Sequence, residues 1–225
     1  MSSHDTAISS AVEDYAKAIY ALEHRGDESV TTNALAARLG VTAASASGMV
    51  KRLCELGLVE HEPYRGVTLT EEGRRVALAV MRHHRLLELY LVQSLGVPWD
   101  RVHAEAEVLE HVLSDELEEL IDAKLGNPTH DPHGDPIPTA ELTIDEPPTQ
   151  SLNDLGAGSQ GTFCRISDSN PDMLRFLAER GIAPGATFEV IEKQPFDGPL
   201  FVRFGDEVHV LGGALAHAMR VEVTG

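Results

Sequence analysis

Cysteine is almost missing from this chain: its 225 residues include only Cys54 and Cys164. Two thiols so far apart support neither a disulfide framework nor a CxxC site. Aromatic residues make up 5%. The phenylalanines of the C-terminal part (Phe163, Phe176, Phe188, Phe196, Phe201 and Phe204) outline no groove for a proline-rich peptide, which counts against a peptide-binding adaptor. No apolar run approaches a membrane span, and MSSHDTAISSAVEDY lacks a basic stretch followed by an apolar one. The expectation is a soluble, cytoplasmic protein with no membrane partner. Positive charge is also short, with 18 Lys and Arg against 36 Asp and Glu and a net charge of −18. A uniformly polyanion-binding surface is thereby excluded. Distribution matters more than the total, because Arg38, Lys51, Arg52, Arg65, Arg74 and Arg75 cluster in one stretch. From Asp100 to Glu146 only Arg101 and Lys124 oppose the acids, so a bound cation would relieve repulsion there.

With 42% hydrophobic residues, the chain can fill two or three small cores. Apolar spacing predicts a helix over 9–25, a polar break at Gly26–Ser29, and a short helix over 32–39 capped by Thr31 or Thr32. Gly40 ends it, and Thr42 caps a further helix that stops at Gly57. Helix, tight turn and helix make a helix-turn-helix. LVEHEPYRGVTLTEEG, with its turn at Tyr64–Gly66, suits a β-hairpin wing. A long helix over Glu71–Leu95 follows, then helices over about 100–112 and 114–125. NPTHDPHGDPIP is too rich in Pro and Gly for a helix, and 139–151 reads as a tether. GTFCRI, TFEVIEK, LFVRF, EVHVL and MRVEV then alternate as strands of a small SH3-like β-barrel, interrupted by one helix over 171–180. The expected organisation is mainly α with a small β part: residues 1–72 for the winged helix-turn-helix, 73–142 for a central helical region, 143–152 for a linker and 153–225 for the barrel.

His103, Glu107, Glu110 and His111 stand at i, i+4, i+7 and i+8 of one predicted helix, an arc of roughly 100°. Upstream, His84 and Glu88 share a face of the long helix. Such a stripe is either a solvated surface or a set of metal ligands. Carboxylates and imidazoles without a thiolate suit a borderline-hard divalent ion such as Mn²⁺ or Fe²⁺. A carboxylate-bridged dimetal enzyme would use Glu-x-x-His from two helices. Met81 and Val108 stand where those glutamates should be, and that reading leaves the winged helix without a role.

In order along the chain, VEDYAKAIYALE, YRGVTLTEEG, VMRHHRLLE, VHAEAEVLEHVLSDE, DPHGDPIP and RGIAPGATFEV resemble the metal-dependent repressors related to the diphtheria toxin repressor and the manganese transport regulator. The likeness spans nearly the whole chain and implies a three-domain, non-enzymatic repressor of metal-uptake genes. It implies a primary site of Asp14, Glu107, Glu110 and His111, with His84 close by. Iron-responsive members carry Met and Cys where this chain has Asp14 and Glu107, so the harder set suggests the manganese-responsive branch, with Fe²⁺ or Co²⁺ as alternatives. A secondary site would comprise Glu88, Asp131, His133 and Asp168. His103 aligns with a ligand of an ancillary site in the iron branch, and His130 has no clear counterpart. Lys17 stands where two-domain manganese regulators carry a second first-helix acid, so their binuclear arrangement is not expected.

The same resemblance implies a homodimer on double-stranded DNA, with an imperfect palindrome as operator. Thr32, Thr42, Ala44, Ser45, Ser47, Lys51 and Arg65 would face the DNA. Gly48 replaces a longer polar side chain of relatives, which shifts the expectation toward phosphate contacts and DNA shape.

Overall fold

The computed structural model describes residues 8–24, 30–62, 65–196 and 198–224. The polar break at 26–29 and the wing residue Tyr64 lie outside them. The chain divides into two compact units, Met1–His83 with Pro138–Thr143, and His84–Ile137 with Ile144–Gly225. The division falls inside helix α4 (Glu71–Leu95).

The first unit begins with α1 (Ser10–Glu23), α2 (Thr32–Leu39) and α3 (Ala43–Glu55). The cap of α2 is Thr31, whose Oγ1 accepts the Ala34 N–H at 3.1 Å, and Thr32 is already helical. Gly40, at φ 66°, ends α2 in the left-handed region that a β-carbon disfavours. Thr42 caps α3 by accepting the Ser45 N–H at 3.1 Å. On α3, Ala46, Val50 and Leu53 recur at helical spacing and pack with Val12, Ile19, Leu35 and Val67. Each large apolar side chain buried in this way contributes about 1.5–3 kcal/mol. Strands β1 (Val59–Glu62) and β2 (Gly66–Leu69) pair antiparallel from Val59↔Leu69 to Glu62↔Gly66, giving the expected wing. The Leu69 N–H donates to Glu23 Oε1 at 2.9 Å, which ties the wing to α1.

The second unit continues α4 and adds α5 (Val102–Leu109) and α6 (Asp115–Leu125). Leu86, Leu87, Leu89, Ala106, Ile121 and Ile137 form its helical core. Helix α5 is shorter than the 100–112 expected, though Glu110 continues its turn by donating to Ala106 O at 2.9 Å. After the helices come β3 (Gln150–Ser151), β4 (Gln160–Ile166), α7 (Pro171–Ala178), β5 (Thr187–Lys193), β6 (Leu200–Phe204), β7 (Glu207–Leu211), α8 (Gly213–Ala218) and β8 (Met219–Val223). The strands pair antiparallel in the order β3-β8-β4-β5-β6-β7. The expected barrel is therefore corrected to an open sheet. Its edges are β3, only two residues long, and β7, and no ladder joins them among the described residues. Phe163, Val190, Val202 and Val221 on the sheet pack with Leu174 and Leu177 of α7 in one core.

Between α6 and β3, the DPHG loop is built rather than slack. Asp131 Oδ1 accepts the N–H groups of His133 (2.8 Å) and Asp135 (2.9 Å), an Asx-type turn. The Ile166 N–H donates to His133 O at 3.0 Å, pinning the loop against β4. Only glycine fits at 134: its φ is 87°, and a β-carbon there would stand 1.9 Å from Cys164 O.

Candidate metal centre

The second unit gathers two sets of donor atoms, each set lying within 4.8 Å of one another. His84 and Glu88 from α4, His103 from α5 and Asp168 from the turn after β4 make the first. Glu88, Asp131 and His133 make the second, so Glu88 belongs to both. Glu88 Oε1 lies 3.0 Å from His84 Nε2 and 3.3 Å from His103 Nδ1. Its Oε2 lies 3.5 Å from His133 Nδ1. Asp168 Oδ2 stands 2.7 Å from His103 Nδ1, and His103 Nδ1 is 3.1 Å from His84 Nε2. His84, Glu88, Asp131 and His133 are all buried.

Glu110, just past the end of α5, is buried as well. One of its oxygens accepts from His84 Nδ1, and the other lies 3.5 Å from His111 Nε2. Glu107 sits differently. Its side chain is 56% exposed, 3.4 Å from the far nitrogen of His103 and outside both donor sets. The predicted stripe thus faces several ways: His103 toward Glu88 and Asp168, Glu110 toward His84, and Glu107 toward solvent. Asp14 stands on α1 in the first unit, half-buried. His130 is exposed and bonds Thr129.

Electrostatics follow from this crowding. Hydrogen bonds to Asp168 and Glu88 push His103 up to about 10 against the pull of burial. Burial alone would depress His133, but the Glu88 carboxylate holds it up at about 9. Burial would raise Glu88, yet hydrogen bonds from His103, His133 and His84 keep it below the usual carboxylate range. For Asp131, burial and the nearby Asp135 and Glu88 charges push the carboxyl upward. His103 and His133 keep their protons, and Glu88 its charge, by pairing with one another, while burial and like charge press Asp131 toward its protonated form. A divalent cation can take the place of those protons, and carboxylate oxygens with imidazole nitrogens are the donors that hard and borderline ions prefer. Neither Cys54 nor Cys164 belongs to a donor set. The residues present therefore fit a divalent metal.

Trp99, which sequence reasoning passed over, holds His133 from behind. Its ring stacks on the imidazole at 5.7 Å with a 14° interplanar angle. Its carbonyl accepts from His133 Nε2 at 2.8 Å, which fixes the ring and turns Nδ1 toward Glu88. The one tryptophan of the chain, between Pro98 and Asp100, was the available signal.

In the first unit, α3 presents Thr42, Ala44, Ser45, Ser47, Gly48 and Lys51 to solvent. Thr42 and Ser45 share a hydroxyl hydrogen bond of 2.9 Å, and Ser47 Oγ donates to Ala43 O at 2.9 Å. Thr32 is half-buried, whereas Arg65 is exposed beside Glu62 at 3.3 Å.

Three family models match in succession: an iron-dependent repressor N-terminal DNA-binding domain over residues 7–67, an iron-dependent repressor metal-binding and dimerisation domain over 70–139, and a FeoA domain over 150–223. The iron-dependent repressor IdeR of Mycobacterium tuberculosis (strain H37Rv) is 36% identical over 222 residues, covering 93% of this chain and 96% of that protein. The diphtheria toxin repressor of Corynebacterium glutamicum is 34% identical, covering 93% and 95%. Among solved structures, a manganese-dependent transcriptional repressor in complex with manganese aligns at TM-score 0.86 and 44% identity, covering 95% of this chain and all of that one. ScaR with bound Cd²⁺ aligns at TM-score 0.78 and 29% identity, covering 94% and 98%.

Proposed function

Since the chain belongs to the family of metal-dependent repressors that includes the diphtheria toxin repressor and the mycobacterial iron-dependent repressor, we propose that Mn²⁺ is the metal that switches it on. That it is a metal-dependent DNA-binding repressor, and not an enzyme, follows from the family. The observation that carries the choice of manganese is the donor chemistry: the buried sets contain carboxylates and imidazoles and no sulfur. The 44% identical structure is named manganese-dependent, whereas the curated relatives at 34–36% are named for iron or for the toxin they repress.

In this reading Asp14, Glu107, Glu110 and His111 form the activating site. His84, Glu88, His103, Asp131, His133 and Asp168 form the supporting ones. A bound divalent cation neutralises and bridges carboxylates that otherwise repel. Asp14 belongs to the helix-turn-helix unit, and Glu110 and His111 belong to the other, so shared ligation restrains one against the other. Ordered in this way, two copies of α3 can enter successive major grooves of a palindromic operator. Ser45, Ser47, Lys51 and Arg65 hold phosphates, Thr42 and Ala44 approach base edges, and Thr32 also faces the DNA. The second copy docks on the apolar surface of Leu95, Val108, Val112 and Leu120, exposed by 61–76%. These residues lie within the stretch that matches a dimerisation domain. Metal-uptake genes are the regulated targets in this reading.

Operator binding measured anaerobically by gel shift with Mn²⁺, Fe²⁺, Co²⁺ and Zn²⁺ tests the metal. Mn²⁺ should give tight binding at the lowest free concentration, and activation by Fe²⁺ alone would overturn the manganese reading. Asp14→Ala and Glu110→Ala should each remove metal-stimulated binding, a loss of about 100-fold or more, and still form dimers. Wild-type operator binding by either variant would overturn the activating-site assignment.

A further inference from the structure

Two kinds of contact tie the wing to α1. Val67 of β2 packs in one core with Val12 and Ile19 of α1, but apolar packing is non-directional and leaves the tilt of the hairpin open. Direction comes from the outer edge of β2. Alternate N–H groups along a strand point to opposite sides, and at 67 and 69 they point away from β1. Val67 donates to Val30 O at 2.9 Å, and Leu69 donates to Glu23 Oε1 at 2.9 Å. The carboxylate of Glu23, the last residue of α1, thus fills the place that the next residue of a third strand would take. Its other oxygen, Oε2, is buried with no hydrogen bond among the described residues, and Arg74 Nη2 stands 3.9 Å from it. The Arg74 guanidinium in turn lies over the Tyr20 ring of α1, 5.7 Å from its centre. An oxygen buried without a hydrogen bond costs stability, so Glu23 serves placement more than folding energy.

We infer that Glu23 sets the wing on α1 and is thereby a positioning residue for the DNA contact at Arg65. Arg65 directly precedes β2 and is exposed beside Glu62, so the tilt of β2 decides where its guanidinium stands. A hydrogen bond from a backbone N–H to a carboxylate is roughly twice as strong as a neutral one. Here it is also shielded, because the Glu23 side chain is only 17% exposed. Asp14 lies on the same helix. Restraint of α1 through Asp14 therefore reaches the wing through Glu23 and needs no ligand on the wing itself. The inference rests on the reading of Arg65 as a phosphate contact and adds what aims it.

The test follows binding against salt concentration, using the full-length dimer loaded with Mn²⁺ and a DNA duplex that the wild type selects from a random pool. Glu23→Ala removes the acceptor and should weaken binding a few-fold, lowering the salt slope by about 1, as loss of one phosphate contact does. Arg65→Ala should do the same, and the double variant should lose no more than either alone. Glu23→Gln keeps an oxygen for the Leu69 N–H and should bind as wild type does. Destabilisation alone would lower the active fraction and leave the slope unchanged. Should Glu23→Ala fail to fold, Glu23→Asp carries the test: it keeps the charge, draws the oxygen back from Leu69 and should lower the slope equally. Glu23 belongs to no donor set, so Mn²⁺ affinity measured without DNA should match wild type in each of these Glu23 variants. If Arg65→Ala lowers the slope and the Glu23 variants do not, or if adding Arg65→Ala to Glu23→Ala lowers it further, the inference is overturned while Arg65 stays on the DNA. A wild-type slope in Arg65→Ala removes the Arg65 contact itself, and the inference falls with it.

Discussion

The two units place their polar residues in opposite ways. On α3 every hydroxyl and the lysine lie outside, and the ion pairs nearby, Lys51–Glu55 at 3.9 Å and Arg65–Glu62 at 3.3 Å, are open to solvent. Pairs of that kind contribute no more than about 1 kcal/mol. The second unit buries His84, Glu88, Glu110, Asp131 and His133 together. Burying charge is costly unless partners compensate it, and here the partners are themselves titratable. A surface that is easy to desolvate suits a polyanion that arrives from outside. A buried set of charges suits a small cation that completes it.

Gly134→Ala attacks the buried side and should have the largest effect on stability. The positive φ and the close approach to Cys164 O together should cost about 3 kcal/mol. At roughly 2–4 °C per kcal/mol for a chain of this size, calorimetry should show the melting point falling by about 6–12 °C. Mn²⁺ bound through Asp131 and His133 should fall with it. An unchanged melting point would mean the DPHG loop is not held against β4. On the open side, Lys51→Ala should weaken operator binding only a few-fold and equally across sequences, lowering the salt slope by about 1, with Mn²⁺ affinity intact. A sequence-dependent loss would instead make Lys51 a base reader. Smallest is Gly48→Ala: a β-carbon there meets nothing within 4 Å, so relief of glycine's backbone entropy should add about 0.5–1 kcal/mol in thermal unfolding. A decrease would show that α3 needs flexibility at that point.

The helix-turn-helix was readable because its determinants are local. Thr31, Gly40 and Thr42 act within one turn, and Ala46, Val50 and Leu53 keep a strict period. The ligand stripe on α5 was half readable. Periodicity put His103, Glu107, Glu110 and His111 on one side, but their partners lie 15 to 26 residues away or farther: His84 for Glu110, Glu88 and Asp168 for His103. Side-chain direction at the end of α5, where the helix stops at Leu109, then separates neighbours that the wheel had joined. The open sheet was missed for a similar reason. Alternation identifies strands, but whether the first and last ones meet depends on the length of β3, which spacing does not encode.

The stacking of Trp99 on His133 has a practical consequence. With one indole in the whole chain, emission excited at the red edge of the indole band, where tyrosine does not absorb, has a single address. That address is the back of the imidazole whose Nδ1 faces Glu88. A spectroscopist needs no label to watch the DPHG loop: the dye is already installed.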